Sequence, residues 1–386
     1  MIGELIIAGL DIGGLSDCTR RAGGMMPTVE ASDVMRRLGQ AGMVAAVMAT
    51  FGLALPGAQA PTPYKIGLFQ QGDRVFLGMV LNDEMVIDLN RTIAGTPTSI
   101  RTLIANWDAP TAARFASVAA DSVANPPASA MKASQLKALP PITDPKVLLS
   151  TAVNYQEHAV EMRSTTTTAA SAAAVDPKVA QGIPGYWVRR PGDPRHNPYF
   201  FVKANSAITG HGDPIVIPKG RDRIDWECEM LVVIGRTAKR VTRDNAADYV
   251  FGYTLLNDVS DRGGRADGRH GSDWQLGKSH DTFAPMGPYV VPRQFIADPQ
   301  KLKVTFTLND TVMQDSNTDR MTHTVYELVE YASNMMTLHP GDLISTGSPA
   351  GVGTARATPV YFKPGDRSTC TIEGIGTLRN TVEAEP

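Results

Sequence analysis

The sequence has few cysteines, little net charge and few long apolar runs, and each of these features argues against a class of protein or site. The 386 residues include three cysteines, Cys18, Cys228 and Cys370, without a C-x-x-C pair, so neither a disulfide framework nor a zinc site is indicated. Basic and acidic residues nearly cancel, at 37 and 39, which excludes a global field that recruits nucleic acid or an anionic membrane. The apolar fraction of 42% is ordinary for a globular protein, and the length suffices for more than one domain.

The N-terminal segment 1–60 has the pattern of an export signal. A short basic stretch opens at Met35, the uncharged apolar run 43–55 follows, and Ala58-Gln59-Ala60 has the small-x-small form of a signal-peptidase site. The run is too short to span a membrane comfortably. We therefore expect a leader with its true start at Met35, and a periplasmic or exported protein that is free of the membrane after processing. The alternative is a buried or disordered N-terminal helix in a cytoplasmic protein, and Pro61 argues against cleavage just before it.

Composition divides the rest of the chain into a small N-terminal domain, a linker and a larger catalytic part. Two strand-like runs begin at Tyr64, and residues 99–119 have helical apolar spacing, so we predict a small domain over 62–125. The following stretch is rich in Ala, Pro, Ser and Lys, which predicts a linker over 126–145. The catalytic domain is then 146–386.

The catalytic part reads as mainly β. Strand-like runs punctuated by Gly and Pro lie at 215–217, 230–234, 255–259, 303–308 and 368–372. One helix is predicted from about Thr324 to Thr337. The polar, low-complexity stretch 164–198 predicts a surface insertion that closes as a lid.

Three acidic residues next to apolar strands are candidate metal ligands. Glu227 and Glu229 lie two apart at the start of a strand, so the period of two sends both carboxylates to one face. Asp258 ends another apolar strand. Three carboxylates without a Cys or His partner suit a hard cation, Mg²⁺ or Mn²⁺ with Ca²⁺ as a further candidate, rather than zinc. An isolated E-x-E is more often a solvated strand face.

His158 and Glu161 are a candidate general-base dyad. They stand at i and i+3, so on a helical turn they share a face and can form a hydrogen bond. A carboxylate beside an imidazole fixes its tautomer and raises its basicity. From the pattern alone, a surface helix pair is the more common outcome.

Two further segments contain candidate site residues. Lys278 lies between a glycine and a serine, but no G-x-x-x-x-G precedes it, so it is not a Walker A lysine. The glycines of 341–353 allow backbone amides to approach a ligand anion closely, and a plain tight turn is the alternative.

Taken in order, these segments resemble the motifs of the fumarylacetoacetate hydrolase family over about residues 146–384. The series reads N-Y-x-x-H-x-x-E, E-x-E, N-D, G-K-S-x-D-x-F-x-P-x-G-P and G-D-x-I-x-T-G-S-P-x-G-V-G. The resemblance implies an α+β, predominantly β fold of rolled mixed sheets, often homodimeric, around one divalent metal. It also implies that Glu227, Glu229 and Asp258 are the metal ligands.

The same resemblance implies roles for the other motif residues. His158 and Glu161 become the dyad, and Lys278 acts beside them on the substrate. The candidate substrate-binding residues are Tyr155, Arg262, Arg265, Gln275, Gly347 and Ser348.

One departure from the family pattern bears on the substrate. After Asp258, many members have an S-A-R-D-x-Q segment, whereas this chain reads S-D-R-G-G-R. The usual substrate-facing glutamine thus becomes Arg265, and Gln275 comes later. An extra arginine suits a substrate with an added carboxylate.

From these residues we expect an enzyme: a metal-dependent hydrolase that cleaves a C–C bond of a β-diketo acid, of the acylpyruvate, fumarylpyruvate or fumarylacetoacetate type. A decarboxylase or keto–enol isomerase of an oxaloacetate- or hydroxymuconate-like acid is the second interpretation. An inactive, metal-stabilised binding protein is the third, and the intact His158–Glu161 pair argues against it. The absence of a G-x-S-x-G motif disfavours a metal-free hydrolase.

Overall fold

The computed structural model describes residues 60–165, 182–183, 185–188, 190, 192–263 and 273–386. Within this range, Pro61–Pro386 form one compact unit. The predicted leader lies outside the described residues except for Ala60, so the signal peptide stays a prediction. In the described part of the chain, no helix has both the length and the apolar character needed to cross a membrane.

The described residues contain 22 strands and six α-helices. In chain order the strands are β1 (Lys65–Gln71), β2 (Arg74–Leu81), β3 (Met85–Asp88), β4 (Met131–Lys132), β5 (Lys137–Leu139), β6 (Leu148–Ala152), β7 (Gly182–Ile183), β8 (Trp187–Val188), β9 (Tyr199–Val202), β10 (Ile208–Thr209), β11 (Ile215–Ile217), β12 (Ile224–Asp225), β13 (Cys228–Ile234), β14 (Val250–Asn257), β15 (Ser260–Asp261), β16 (Ala284–Pro285), β17 (Tyr289–Pro292), β18 (Lys303–Leu308), β19 (Thr311–Asn317), β20 (Leu343–Ser345), β21 (Arg367–Ile372) and β22 (Gly376–Ala384). The helices are α1 (Leu89–Thr92), α2 (Ile100–Ala105), α3 (Ala109–Ala124), α4 (Gln156–Thr165), α5 (Trp274–Lys278) and α6 (Val325–Met335).

Two mixed β-sheets dominate the structure. The larger has eleven strands in the order β4-β3-β2-β1-β17-β14-β13-β20-β6-β9, with β5 also paired to β1. The smaller has five, in the order β11-β22-β21-β18-β19. Strand β6 runs parallel to β20, and β11 runs parallel to β22, while the other pairs in these two sheets are antiparallel. The predicted α+β, predominantly β fold is confirmed.

The central strands β13 and β14 set the position of the acidic residues. Every residue of both strands is buried. The pair is antiparallel with Cys228 opposite Asn257, so the start of β13 meets the end of β14. The amide of Asp258 donates to the carbonyl oxygen of Glu227 at 2.8 Å, which brings these two residues side by side.

The N-terminal segment contributes strands to the same large sheet. Strand β1 pairs with β17, and β4 and β5 of the predicted linker 126–145 pair with β3 and β1. A separate domain over residues 62–125 therefore stays a prediction made from the sequence. The helical stretch predicted over 99–119 is two helices, because the side chain of Asp108 accepts a hydrogen bond from the Thr111 amide at 2.8 Å and starts α3 anew.

The described part of the insertion 164–198 packs against α6. Trp187 is buried, with its ring centroid 5.2 Å from that of His323 and the Arg243 guanidinium 4.7 Å above it. Arg195 forms an ion pair with Glu327 at 2.9 Å. These contacts anchor the C-terminal end of the insertion. Residues 166–181 lie outside the described residues, and the lid stays a prediction.

Cys228 and Cys370 form a disulfide, which corrects the expectation drawn from their spacing. They are 142 residues apart in the sequence, but their Cα atoms are 5.4 Å apart because β13 packs against β21 of the smaller sheet. Both side chains are buried. Cysteine spacing carries no information about this pair, since the contact depends on how two sheets pack. The bond ties the sheets together at the residue between Glu227 and Glu229.

Replacing Cys370 with serine should lower the free energy of unfolding by about 2–5 kcal/mol, because the bond closes a long loop in the unfolded chain. Cys228→Ser should have a similar effect, and the double variant should lose little more than either single one. Guanidinium chloride titrations without reductant measure the change. Recovery of both residues as free thiols, in non-reducing peptide mapping of protein prepared under oxidising conditions, would contradict the pairing.

Candidate functional site

Three buried carboxylates converge at the meeting point of β13 and β14. Glu227 lies just before β13, Glu229 lies in it, and Asp258 follows β14. Each offers a carboxylate oxygen, and these oxygens all lie within 4.8 Å of one another. Their residues are 6%, 1% and 1% exposed, so the acids are not a solvated strand face. The predicted convergence of these three side chains is observed.

Three cations surround this triad. Lys278 Nζ lies 2.7 Å from Glu227 Oε2 and 2.8 Å from Asp258 Oδ2. Lys203 Nζ lies 2.6 Å from Asp258 Oδ1, and Arg262 donates to Glu227 Oε1 at 2.5 Å. Burial raises the pKa of Glu227, but Lys278 and Arg262 outweigh that effect and hold the pKa below its usual value. Glu227 is therefore anionic and well compensated.

Glu229 is less well compensated than the other two acids. Its Oε2 accepts hydrogen bonds from the hydroxyl of Ser345 and from the amide of Gly347 at 2.9 Å. Its Oε1 is buried and has no hydrogen-bond partner within the described part of the chain. Burial raises the pKa of Glu229 well above its usual value, and the charges of Asp258 and Glu227 raise it further. A cation bound among the three acids would satisfy this oxygen and remove the repulsion, so the residues fit a divalent metal.

The predicted dyad forms at the start of helix α4. His158 Nδ1 lies 2.6 Å from Glu161 Oε1, and His158 is buried. The other oxygen of Glu161 accepts a hydrogen bond from the Gly351 amide at 2.8 Å. This arrangement favours a proton on Nδ1, which leaves Nε2 as the proton acceptor. The Gly347 amide of the same glycine-rich segment donates to Glu229, so one segment contacts both the dyad and the triad.

Helix α4 itself is fixed by Glu157. One carboxylate oxygen accepts from the Ser316 hydroxyl at 2.5 Å, and the other from Arg320 at 2.6 Å. These contacts join α4 to β19 and the turn that follows it. They fix the first turn of α4, on which His158 lies.

The glycine-rich segment connects the dyad to the triad. Gly351 has a φ of 104°, and a Cβ there would lie 2.1 Å from the carbonyl oxygen of Met313, so only glycine fits. The carboxylate of Asp225 accepts from the Gly353 amide at 2.7 Å and from Arg262 Nε at 3.0 Å. Asp225 therefore holds this segment against the arginine that contacts Glu227.

Two predicted substrate-binding residues are buried beside the triad. Tyr155 is buried, which raises the pKa of its phenol well above the usual value, and the charge of Glu229 raises this pKa further. The hydroxyl of Ser348 accepts from the Gln314 side-chain amide at 2.9 Å and lies one residue after Gly347. Their contact with substrate stays a prediction.

The other predicted substrate-binding residues lie in three different settings. The guanidinium of Arg262 is engaged by Asp225 and Glu227, so in this structure it balances site carboxylates. Gln275 lies on α5 and is exposed. Arg265 lies outside the described residues.

Sequence reasoning missed Lys203, Asp225 and Ser345. Lys203 is fully buried against Asp258, and burial lowers its pKa to about 8 although Asp258 opposes the shift. Its sequence signal was a lysine directly after the apolar run Tyr199–Val202. Asp225 lies two residues before Glu227, but the sequence carries no sign of the distant amides from which its carboxylate accepts hydrogen bonds. The contact between Ser345 and Glu229 joins residues 116 apart and leaves no local pattern.

The chain is similar in sequence to a known family model and to several known enzymes. The family model of the fumarylacetoacetate (FAA) hydrolase C-terminal domain matches residues 148–383. The mitochondrial oxaloacetate tautomerase Fahd2a of Rattus norvegicus is 36% identical over 249 residues, which cover 64% of this chain and 70% of that protein. The 2,4-didehydro-3-deoxy-L-rhamnonate hydrolase of Sphingomonas sp. (strain SKA58) is 43% identical over 186 residues, 48% of this chain and 65% of that protein.

A solved structure with the same fold carries a metal. It is the maleylpyruvate hydrolase from Sphingobium sp. SYK-6 in complex with manganese(II) ion and pyruvate, with a TM-score of 0.60 and 27% identity. The match covers 83% of this chain and 100% of that one. The chain belongs to the fumarylacetoacetate hydrolase family, a family of enzymes whose members include hydrolases, isomerases and tautomerases.

Proposed function

We propose that this protein is a divalent-metal-dependent hydrolase that cleaves a C–C bond in a β-diketo acid. The observation that carries the proposal is the intact His158–Glu161 pair beside a buried triad of carboxylates. A general base next to such a triad is needed for water attack, whereas a binding protein has no use for it. The relatives named as hydrolases of keto-acid compounds support this choice.

Glu227, Glu229 and Asp258 would hold the metal. A bound Mg²⁺ or Mn²⁺ would polarise the oxygens of the keto acid and offset the negative charge that develops there. The manganese in the maleylpyruvate hydrolase structure supports Mn²⁺ as one candidate. The oxygen-only donor set supports the choice of a hard cation over zinc.

The chain's own residues supply the proton transfers. His158 Nε2 takes a proton from water, whose oxygen adds to the distal carbonyl carbon of the substrate. Glu161 stabilises the resulting imidazolium, and the Gly351 amide keeps that carboxylate in place. The C–C bond then breaks, its electron pair passes to the keto-acid fragment, and the imidazolium of His158 returns its proton to a carbon of that fragment, which restores the neutral base. Lys278 lies against two site carboxylates, where its charge offsets the developing anion.

A second candidate function uses the same base without water attack. The relative named as an oxaloacetate tautomerase supports keto–enol isomerisation, in which His158 moves a proton between carbon and oxygen of one substrate. Decarboxylation of an oxaloacetate-like acid belongs with it, because neither reaction needs a hydrolytic water.

Export and a homodimeric state are proposals that accompany the function. The buried Cys228–Cys370 bond supports export, because disulfides persist in oxidising compartments and are rare in the cytosol. The homodimer rests on the family resemblance.

Metal binding is tested by removing one ligand and one supporting contact. Glu229→Gln should reduce Mn²⁺ affinity the most, because it removes a negative donor. Ser345→Ala should reduce it by about 10–100-fold, because the hydroxyl orients Glu229. Glu330→Gln on α6 is the control, since Glu330 pairs with Arg243 away from the triad. Isothermal titration with Mn²⁺ measures the affinities, and equal affinity in all four proteins would reject the assignment of the triad.

The reaction type is tested by His158→Ala with two substrates. Acylpyruvate cleavage should fall by about 10²–10⁴-fold, because water attack loses its base. Oxaloacetate decarboxylation should fall much less, and Mn²⁺ affinity should stay near that of wild type. Stopped-flow absorbance of the diketo acid and coupled assay of pyruvate provide the rates.

Two results would decide against hydrolysis. If the wild-type enzyme converts oxaloacetate efficiently and no diketo acid measurably, the second function replaces the first. If His158→Ala cleaves acylpyruvates at the wild-type rate, the base lies elsewhere.

A further inference from the structure

Strand β9 leads from the surface into the site along one face. Side chains at alternate positions of a strand share a face, so Tyr199 and Phe201 share one face of β9. Lys203 follows directly after the strand, and its amide continues the pairing with β6 by donating to the carbonyl oxygen of Leu148 at 3.1 Å. Tyr199 is 53% exposed, Phe201 is half-buried, and Lys203 is fully buried with Nζ 2.6 Å from Asp258. The strand therefore places aromatic rings directly outward of a lysine that contacts the triad.

Helix α5 also brings a lysine and an aromatic ring next to Phe201. Trp274 and Lys278 are at i and i+4, so they share a face of the helix. Lys278 Nζ lies 5.1 Å from the centroid of the Phe201 ring, and the Trp274 ring lies 5.0 Å from the same ring. Trp274 also lies 5.9 Å from Tyr199. Two separate elements thus each bring a lysine to the carboxylates and an aromatic side chain to the outside.

The opposite face of β9 has a structural role. Phe200 packs against the hydrophobic core, with its ring 5.7 Å from that of Tyr331 on α6. The edge strand is therefore held by that face. The aromatic rings on the other face remain beside Lys278 and the carboxylates, half-buried or exposed.

We propose that Tyr199, Phe201 and Trp274 form an aromatic wall that binds the distal part of the substrate and selects keto acids whose distal group is flat and apolar. This inference rests on the proposed function, in which the keto-acid end lies at the triad and Lys278. A conjugated or aromatic acyl group extending outward from Lys278 meets the Phe201 ring first and the Trp274 and Tyr199 rings next. Aromatic contact favours flat groups over a methyl group by about three- to tenfold per ring.

The kinetic test compares three diketo acids that differ only in the distal group. They are acetylpyruvate with a methyl group, benzoylpyruvate with a phenyl ring, and succinylpyruvate with a carboxylate. Wild type should prefer benzoylpyruvate in kcat/KM. Trp274→Ala and Phe201→Leu should each lower that preference about three- to tenfold, mainly through a higher KM for benzoylpyruvate.

Val202→Ala is the matched control. Val202 lies on the same edge strand, is 49% exposed and points to the opposite face from Phe201. Its replacement should leave all three kcat/KM values as in wild type. A wild-type preference for succinylpyruvate over benzoylpyruvate would overturn the wall, because a carboxylate-binding group would then define the distal site.

Binding provides a readout that does not depend on turnover. Calorimetric titration of the Mn²⁺-loaded protein with phenylpyruvate and with pyruvate should give tighter binding of phenylpyruvate, and Trp274→Ala should reduce that difference. Selective binding without turnover of any diketo acid would reject the proposed hydrolysis and keep the wall. Equal binding of the two acids by wild type would reject the wall alone. Absence of binding by either acid would overturn both proposals.

Oligomeric state separates the wall from an interface between subunits. Light scattering should give the same mass for wild type and Trp274→Ala. A lower mass for the variant, together with unchanged selectivity, would show that the rings contact a second copy of the chain and would overturn the wall.

Discussion

Burial of carboxylates at the junction of β13 and β14 is the constraint on which the rest of the structure depends. An ionised acid in a dry interior is costly unless a cation or several hydrogen-bond donors face it. Here the compensating groups come from separate parts of the chain: Lys203 follows β9, Lys278 ends α5, and Arg262 follows β15. The edge strand, the short helix and the turn after β15 are thus held at the site by charge as well as by packing. Glu227 and Asp258 each contact two of these cations, so removing one cation weakens the compensation of at least one buried carboxylate.

The surrounding structure makes the acidic junction rigid. The Cys228–Cys370 bond joins the two sheets at the residue between two of the acids. The carboxylate of Asp225 accepts a hydrogen bond from the Gly353 amide of the glycine-rich segment, and the Gly351 amide of the same segment donates to Glu161. The dyad and the triad are therefore positioned by one continuous set of backbone contacts. Such support would hold the proposed base at a fixed distance from the substrate carbonyl, which is the geometric requirement of general-base catalysis.

Sequence patterns predicted the parts of this site that depend on local geometry. The period of two brought Glu227 and Glu229 together, helical spacing paired His158 with Glu161, and the capping box at Thr324 starts the predicted helix. Contacts between distant segments had no such pattern. Three such contacts are the disulfide, the burial of Lys203 and the hydroxyl that supports Glu229. They depend on how the sheets pack and on where an edge strand lies, and the spacing of residues in the sequence predicts neither of these. The break between α2 and α3 was missed for a different reason, because the apolar period continues across the cap at Asp108.

The charge of the site supports the proposal that its substrate is an anionic keto acid. Within the described residues, four buried carboxylates meet three largely buried cations: Asp225, Glu227, Glu229 and Asp258 against Lys203, Lys278 and Arg262. One negative charge is uncompensated, and the free oxygen of Glu229 marks where the imbalance is greatest. A divalent cation bound there would reverse the balance to one positive charge, which the carboxylate of the proposed keto acid would neutralise. In the proposed reaction, the second negative charge on the keto-acid fragment is matched by the proton that His158 takes up, and Lys278 is a nearby donor to that fragment. Metal, substrate and base would then be linked by one requirement, the neutrality of a buried volume.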